Sequence, residues 1–343
     1  MAPTYQVSAK RFLQSQLCTT LPVPTKSFEG QTVIITGSNT GLGFEAAKHI
    51  VRLKADKVIL AVRSVSKGET AAKALRSDSA GSDKSTTKVE VWQLDLSSYD
   101  SIQDFASRVD RELERLDVVI ENAGLLTENF TMAGEDESTI KVNVLGTMFL
   151  ALLLLPKLRA TATKWEKDVV LTFTGSFMHW SAKFEERKAD DIFQELADET
   201  KATMYDSERY STSKLMELLA FRELAAHLTQ PQKGHIITSL LNPGGVKTDI
   251  MRDENMRLAQ WLTVKIGRAF FLRSTEEGSR TLVHAAQGGR DTDRQYLDDC
   301  KPTPPHFLSP FVRSDEGQAT QKKVWQQMLA RFENIKPGVT MNL

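Results

Sequence analysis

Six short runs of β-branched and other apolar residues recur along the chain, and helical patterns separate them. The runs cover residues 32–36, 58–62, 89–94, 118–120, 169–173 and 236–241. Strands that alternate with helices pair in parallel, because each helical crossover returns the chain to the end of the sheet at which the previous strand began. The pattern predicts an α/β fold in which a doubly wound parallel sheet, covered by helices on both faces, forms a single domain.

The strand pattern does not cover the whole chain. Residues 1–29 contain three prolines and precede the first strand, so we interpret them as an arm on the surface. Residues 30–300 then form the main domain, and residues 301–343 form a C-terminal extension packed on it. Two long connections, 177–209 and 249–275, carry no strand pattern, and we expect them to bind substrate. Neutral insertions are the alternative.

The charge balance bears on the partner of the protein. Lys and Arg together number 44, as do Asp and Glu, so the formal net charge is zero. Such a chain has no overall attraction to nucleic acid or to an anionic membrane. We therefore expect a small-molecule substrate and no nucleic-acid partner.

Two further features bear on location. Cys18 and Cys300 offer neither a disulfide framework nor the spacing of metal ligands, which favours a reducing, cytoplasmic setting and no metal site. The most apolar run, residues 149–155, is shorter than the ~20 residues that span a membrane. We interpret it as a buried helix that ends at Pro156, and we expect no membrane span.

Glycines are concentrated where the first predicted strand ends. Residues 36–43 read Thr-Gly-Ser-Asn-Thr-Gly-Leu-Gly, and a helical pattern follows over 44–53. Glycines let the backbone approach a ligand closely, and the first turn of a helix presents unpaired N–H groups to a phosphate. The turn is predicted to bind the pyrophosphate of a dinucleotide, and a plain tight turn is the alternative. Its predicted cofactor residues are Gly37, Ser38, Asn39, Gly41, Leu42 and Gly43.

The end of the second strand indicates which dinucleotide binds. In such folds an acid about 20 residues beyond the glycines favours NAD, and an arginine accommodates the additional phosphate of NADP. Here Arg63 stands 20 residues after Gly43, with Ser64 and Lys67 close behind it. A guanidinium and an ammonium both suit a phosphate. We predict NADP(H), with an unliganded surface arginine as the alternative.

Tyr210 and Lys214 are four residues apart on a predicted helix, so they share one face. A free tyrosine phenol has a pKa near ~10 and is a poor base at neutral pH, but a nearby cation favours its phenolate. Lys214 is therefore placed to assist proton transfer by Tyr210. A half-buried tyrosine beside a surface lysine is the alternative.

Further motifs follow in an order that resembles the short-chain dehydrogenase/reductase family over roughly residues 30–250. The glycine turn, Tyr210 and Lys214 match that family's motifs. The other matches are Asp95 with Leu96, Asn122 with Ala123 and Gly124, Asn143, and Pro243 with Gly244, Val246 and Thr248. Glu121 departs from the family pattern, which often has an asparagine at that position.

The resemblance implies a Rossmann-type NADP-binding catalytic domain and a role for each matched residue. The adenine would contact Asp95 and Leu96, and the Asn-Ala-Gly turn would also line the cofactor site. The segment from Pro243 to Thr248 would close over the nicotinamide. Asn143 would complete a proton relay through a water molecule.

The family's catalytic serine follows the fifth strand, commonly as the second of two serines. Ser176 matches that second serine, and Gly175 replaces the first. Ser176 precedes Tyr210 by 34 residues, an interval longer than in compact members and more similar to the retinol-dehydrogenase-like branch. Thr174 is the alternative, and a purely structural hydroxyl is possible for both positions.

The resemblance implies that the cofactor moves a hydride while Tyr210 moves the hydroxyl proton, Ser176 binds the substrate oxygen and Lys214 holds the ribose. The reaction would interconvert a carbonyl and a primary or secondary alcohol. A non-redox isomerase or dehydratase, or a cofactor sensor, is the alternative, but neither sensing nor binding requires the full set of Asn143, Ser176, Tyr210 and Lys214.

Substrate and assembly are predicted from apolar residues. Such residues enrich the connection 249–275 and favour an apolar alcohol or ketone, such as a secondary-metabolite intermediate, although they could equally pack a lid on the core. In the family, helices corresponding to residues 142–155 and 215–221 pair between subunits, which implies a homodimer or homotetramer. Core packing explains these apolar residues equally well.

Overall fold

The computed structural model describes residues 3–78, 86–228, 235–247 and 272–343, and a twisted sheet lies at its centre. Its strands and a separate hairpin are β1 (Thr32–Thr36), β2 (Lys57–Val62), β3 (Lys88–Gln93), β4 (Val118–Glu121), β5 (Met132–Ala133), β6 (Asp136–Glu137), β7 (Val169–Thr174), β8 (Ile236–Asn242), β9 (Gln295–Asp298) and β10 (Lys301–Pro302). Within these residues eight strands form the sheet in the order β10-β9-β8-β7-β4-β1-β2-β3, and β5 pairs only with β6.

The predicted doubly wound parallel sheet is confirmed. All strand pairs of the large sheet are parallel except the antiparallel pair β9 and β10. The six predicted runs are the six adjacent strands from β8 to β3 in that order, with bounds that differ by one residue at most. The sequence pattern missed β9 and β10, because β9 is four residues long and only Tyr296 and Leu297 in it are apolar.

Helices cover both faces of the sheet. They are α1 (Pro3–Cys18), α2 (Gly41–Arg52), α3 (Val65–Asp78), α4 (Tyr99–Glu112), α5 (Ser138–Ile140), α6 (Thr147–Lys164), α7 (Ile192–Leu196), α8 (Glu208–His227), α9 (Thr275–Ala286), α10 (Pro310–Arg313) and α11 (Asp315–Ile335). A π-helix, Lys141–Gly146, joins α5 to α6.

Two hydrophobic cores follow from the alternation of side chains along each strand. In β1, Ile34 points to a core formed with α4, α6, α8 and α11. Its neighbours Val33 and Ile35 point to the other face, where α2, α3 and α9 pack. Because β1, β4, β7 and β8 are buried on both faces, they consist largely of continuous apolar runs, as parallel strands do.

The apolar run 149–155 lies in α6 and is buried, as predicted. The helical run Ser138–Lys164 is long and apolar enough to cross a membrane, but 83% of its apolar window is buried inside the fold, which is typical of a core helix. The prediction that Pro156 ends the helix is wrong, since α6 continues to Lys164. Proline leaves the carbonyl four residues earlier without its N–H donor. The Asn342 side chain supplies one, donating to the Leu152 carbonyl at 3.1 Å.

The N-terminal segment holds a helix that the sequence pattern did not predict. In α1, Arg11 pairs with Asp298 at 2.5 Å, and the Ser15 hydroxyl donates to Asp299 at 2.8 Å. The ring of Phe12 lies 5.3 Å from that of Phe177. These contacts place α1 beside the carboxyl ends of the strands, next to the connection that follows β7.

The two long connections differ in what the structure describes. Residues 177–209 contain α7 and several 3-10 turns, the first of which is Phe177–Trp180. Most of the second connection lies outside the described residues. Its apolar side chains that the substrate prediction used are Met251, Met256, Leu258, Trp261, Leu262, Phe270 and Phe271, all outside the described residues.

The C-terminal helix α11 contributes to the first core. Phe332 is fully buried, and its ring centre lies 5.0 Å from that of Phe149 in α6 and 6.5 Å from that of Tyr99 in α4. Residues far apart in the sequence thus share one aromatic cluster.

We expect Phe332→Ala to lower the free energy of unfolding by about 3–5 kcal/mol, because it removes a fully buried ring and leaves a cavity. Urea unfolding followed by fluorescence measures the change. Asn334→Ala is the control, since this exposed residue lies two positions further along the same helix. Equal stability of the two variants would show that α11 does not belong to the cooperative core.

Candidate active site

A cleft of about 430 Å³ lies at the carboxyl ends of the central strands. The chain turns to opposite sides of the sheet after β1 and β4, and such a switch point leaves a crevice where ligands bind. The cleft contains most of the predicted site residues. Those lining it are Gly37, Asn39, Gly41, Leu42, Arg63, Lys67, Asp95, Leu96, Asn122, Ala123, Gly124, Ser176, Tyr210, Lys214, Pro243, Gly244 and Val246.

The glycine turn is packed too closely for side chains at two positions. Gly37 has a φ of +65°, and a Cβ there would lie 2.9 Å from the Cα of Ala123. A Cβ on Gly43 would approach the Asn122 Nδ2 to 2.5 Å. These glycines therefore allow the turn after β1 to contact the Asn-Ala-Gly turn after β4 directly.

The Thr36 hydroxyl joins the ends of these two strands. It accepts hydrogen bonds from the Asn122 N–H at 2.8 Å and the Ala123 N–H at 2.9 Å, and it donates to the Glu121 Oε2 at 3.2 Å. The Asn122 Nδ2 donates to the Thr36 carbonyl at 2.8 Å. Asn122 is thus fixed by β1, and its side chain holds the floor of the cleft in place.

Three predicted residues do not line the cleft, and one cannot be placed. The Ser38 hydroxyl is buried and donates to the Ile35 carbonyl at 2.8 Å, so it stabilises the turn from behind. Gly43 lies under the turn, and Asn143 lies behind the cleft wall. Thr248 lies outside the described residues.

Cationic side chains stand at one end of the cleft. Arg63 and Lys67 are exposed, and neither forms a hydrogen bond or ion pair with another described residue. Asp95 is already engaged, since its Oδ1 accepts from the backbone N–H and the hydroxyl of Ser97 at 2.9 Å and 2.6 Å. This end of the cleft therefore offers free positive charge to an anion.

Tyr210 and Lys214 lie one turn apart on α8 and both line the cleft. The Lys214 Nζ lies 5.8 Å from the centre of the Tyr210 ring. It donates to the Thr174 carbonyl at 2.8 Å and to the Glu217 Oε2 at 2.8 Å. Burial disfavours its charge, but the carboxylate of Glu217 and the phenol of Tyr210 outweigh burial and raise the pKa of Lys214. The lysine therefore remains an ammonium.

The two candidate hydroxyls, of Thr174 at the end of β7 and of Ser176 two residues later, both line the cleft. The Ser176 Oγ accepts from the Met178 N–H at 3.1 Å and caps the 3-10 turn, while its lone hydrogen remains available to a ligand. The Thr174 hydroxyl is buried and has no partner among the described residues. Ser176 therefore remains the candidate for binding a substrate oxygen, and Thr174 remains the alternative.

Asn143 lies in the π-helix, a wider turn that often marks functional sites. Its Oδ1 accepts from the Leu125 N–H at 2.7 Å, and its Nδ2 donates to the Leu125 carbonyl at 2.9 Å and to the Ser213 hydroxyl at 2.9 Å. Ser213 in turn donates to the Tyr210 carbonyl at 2.7 Å. The side chain of Asn143 thus fixes the turn that carries Tyr210.

The sequence pattern missed two groups at this site. Glu217 pairs with Lys214, and Gln16 of α1 lies against Gly244, where a Cβ would approach the Gln16 Nε2 to 2.5 Å. The acidic residue three positions after Lys214 could have suggested the first contact. No local pattern indicates the second. No group of three or more His, Cys, Asp or Glu side chains in the described part of the chain is arranged to hold a metal.

Comparisons with known proteins give one consistent family. A model of the short chain dehydrogenase family matches residues 31–165. A short chain dehydrogenase/reductase of Cryptosporiopsis sp. is 42% identical over 96% of this chain and 99% of its own length. A short-chain dehydrogenase of Penicillium roqueforti is 40% identical over 99% of this chain and 87% of its own.

Solved structures have the same fold. A short chain dehydrogenase from Shigella flexneri in complex with NADP is 21% identical, with a TM-score of 0.54 over 80% of this chain and 99% of its own. L-sorbose reductase from Gluconobacter frateurii, in complex with NADPH and L-sorbose, is 16% identical, with a TM-score of 0.57 over 79% and 95%. A 3-ketoacyl-(acyl-carrier-protein) reductase from Brucella melitensis, in complex with NADH, is 17% identical. Its TM-score is 0.54 over 79% of this chain and 97% of its own.

The buried carboxyl of Glu121 gives a pH-dependent prediction. Burial, together with the nearby charge of Glu217, raises the pKa of Glu121 to about 8 although its hydrogen bond with Thr36 opposes the shift. The ordinary pKa of this side chain is 4.5. Between pH 4.5 and about pH 8, the Glu121 carboxyl has therefore lost its proton in the unfolded chain but retains it in the folded chain. Stability therefore falls with rising pH, by at most about 1.4 kcal/mol per pH unit for one proton.

We expect Glu121→Gln to remove this slope, so that the variant gains stability relative to the natural protein as the pH rises from 5 to 8. Chemical unfolding at a series of pH values measures the difference. Glu29→Gln, at an exposed position, is the control and should leave the slope unchanged. Parallel curves for Glu121→Gln and the natural protein would contradict the raised pKa.

Proposed function

The chain belongs to the short-chain dehydrogenase/reductase family, and we propose that it interconverts a carbonyl and an alcohol on a small apolar molecule with NADP(H) as its cofactor. Membership makes the protein an oxidoreductase that acts on CH–OH groups with a nicotinamide cofactor. The retinol-dehydrogenase-like branch, the preference for NADP(H), the substrate and the residue roles are the proposed part. The observation that carries the proposal is that Tyr210, Lys214 and Ser176 line the same cleft as the glycine turn.

The cleft suits a dinucleotide at both ends. Gly37 lets the backbone line the cleft without a side chain, and the N–H groups of the first turn of α2 would hold the pyrophosphate. The unpaired cations of Arg63 and Lys67 would bind the 2′-phosphate, which NAD lacks. Solved neighbours of the same fold hold NADP or NADPH, although one holds NADH. Arg63 is the feature of this chain that favours NADP(H).

Proton transfer is the task of the chain's own residues. When bound, the nicotinamide supplies or accepts the hydride. In the direction of reduction, Tyr210 donates its phenolic proton to the carbonyl oxygen, and in oxidation it accepts the alcohol proton. Ser176 hydrogen-bonds the same oxygen and stabilises the charge that develops there. Lys214 has three N–H donors, of which two are used, so the third can hold the nicotinamide ribose.

Asn143 acts on this site through the backbone. Its side chain is bound to Leu125 and Ser213, and Ser213 holds the Tyr210 carbonyl. Asn143 is therefore a positioning residue for Tyr210, and any water that replenishes the proton would be held near it. Apolar lining by Leu125, Val142 and Met178 supports the proposal of an apolar alcohol or ketone as the substrate.

Cytoplasmic location and assembly as a homodimer or homotetramer stay predictions. Cys18 and Cys300 carry free thiols, as in a reducing compartment. The apolar side chains of residues 215–221, and nearly all of those of 142–155, are buried in the core of one chain. Core packing therefore accounts for them without a second subunit.

We expect Tyr210→Phe to abolish turnover, because the variant keeps the ring and loses the transferable proton. NADPH binding should stay within a few-fold, since the cations and the glycine turn are unchanged. NADPH absorbance against a panel of apolar ketones and alcohols measures turnover, and calorimetric titration measures binding. Normal turnover by this variant would exclude Tyr210 as the acid and base.

We expect Arg63→Ala to weaken NADPH binding about tenfold and to leave NADH binding nearly unchanged, because only NADPH carries the 2′-phosphate. Titration with each nucleotide measures both affinities. Lys73→Ala is the matched control, an exposed cation on α3, the helix that follows Arg63, and it does not line the cleft. Equal losses for NADPH and NADH would contradict the proposed phosphate contact.

A further inference from the structure

Three ionisable side chains, Lys214, Glu217 and Glu121, form a buried cluster, and of these Lys214 lines the cleft. The side chains of Lys214 and Glu217 are 5% and 3% exposed, and the Nζ lies 2.8 Å from the Glu217 Oε2. Glu121 at the end of β4 is also buried. Its Oε2 accepts a hydrogen bond from the Thr36 hydroxyl, and its Oε1 has no hydrogen-bond partner among the described residues. The proposed proton transfer by Tyr210 uses Lys214 but does not involve the carboxyl group of Glu217 or that of Glu121.

Glu217 is the carboxylate that acts on Lys214. The groups whose charge influences Lys214 are Glu217 and Tyr210, and the charge of Glu217 also reaches Glu121. Because burial and Glu217 raise the pKa of Glu121 to about 8, Glu121 is neutral at neutral pH. Burial raises the pKa of Glu217, and the charge and hydrogen bond of Lys214 oppose that shift. With the Lys214 Nζ 2.8 Å from its Oε2, Glu217 forms an ion pair of one positive and one negative charge.

Other charged groups around α8 are already paired or neutral. Arg209 faces Glu137 and Glu186 at 3.9 Å and 3.4 Å and does not line the cleft. His179, on the turn packed against α8, is neutral at neutral pH because burial lowers its pKa to about 4. Asp298 pairs with Arg11. Arg63 and Lys67 line the same cleft at its cationic end. Lys214 and Glu217 are the buried ion pair on α8 beside Tyr210, with the Lys214 Nζ 5.8 Å from the ring centre.

A lone ammonium beside a phenol favours the phenolate, whereas an ion pair has little net charge and favours it much less. A buried pair also requires hydrogen bonds to remain stable, and the Lys214 ammonium donates to the Thr174 carbonyl and to the Glu217 carboxylate. Glu217 thus holds the ammonium in place and, at the same time, offsets its charge.

We propose that Glu217 is a positioning residue that offsets the charge of Lys214 at Tyr210, so that less of that charge favours the phenolate and the site favours carbonyl reduction over alcohol oxidation. In that direction the hydride from NADPH forms the new C–H bond, the carbonyl oxygen takes the Tyr210 proton, and NADPH becomes NADP⁺. The inference rests on the proposed function for its direction, and its charge effect can be measured without turnover.

The test is an ultraviolet titration of tyrosinate in the protein without added nucleotide. The difference between the natural protein and Tyr210→Phe isolates the signal of Tyr210, and the same difference is taken in the Glu217→Gln background. Glutamine keeps the size of the side chain and an oxygen for Lys214 but removes the negative charge. We expect the midpoint of tyrosinate formation to fall by about one pH unit.

Two variants complete the test. Glu223→Gln removes a carboxylate from the same helix, where it binds Gln321 away from the cleft, and should leave the midpoint unchanged. Glu217→Asp keeps the charge at a shorter reach, so it should give a smaller fall, and it replaces Glu217→Gln if that variant does not fold. An unchanged or higher midpoint without the Glu217 charge would overturn the inference.

Activity provides a second readout. If the enzyme reduces a ketone from the panel, the pH at which its reductive rate declines should move down in Glu217→Gln by the same amount as the tyrosinate midpoint. A protein without turnover on any carbonyl or alcohol would refute the proposed function, yet the titration would still decide whether Glu217 acts on Tyr210.

Discussion

The hydroxyl of Thr36 is the contact on which the geometry of the cleft depends. β1 and β4 are adjacent strands from which the chain leaves in opposite directions, so their ends would separate unless something joins them. One hydroxyl with three hydrogen bonds joins them, and the absence of side chains at Gly37 and Gly43 lets the two turns meet. The position of Asn122, and with it the floor of the cofactor cleft, follows from that contact.

Buried charge is the second constraint. In the proposed reaction Lys214 acts as a cation, but burial opposes its charge. The chain resolves the conflict with a carboxylate three residues further along the same helix and a carbonyl at the end of β7. The site thus couples the packing of α8 on the sheet to the protonation of its central residues.

Most of the fold could be predicted from the sequence because each of its central strands is a continuous apolar run. The site motifs were also visible, because each is local in the sequence. The glycine turn directly follows β1, and Tyr210 and Lys214 are four residues apart on α8. What could not be predicted depends on long-range contacts. The helix continues past Pro156 because Asn342, from the other end of the chain, binds the Leu152 carbonyl, and β9 is specified by pairing with β8 more than by its own composition.

The helix α1 has a consequence for redesign of this protein. Ser15 accepts a hydrogen bond from Arg273, and Gln16 lies against Gly244, so the N-terminal helix and Arg273 together form the rim around the Pro243–Gly244 turn. A mutational library that varied only the residues between the glycine turn and Lys214 would leave this rim untouched. Substitutions at residues 15, 16 and 273 would have to be selected together, because a change in one alters the shape that the other two must fit.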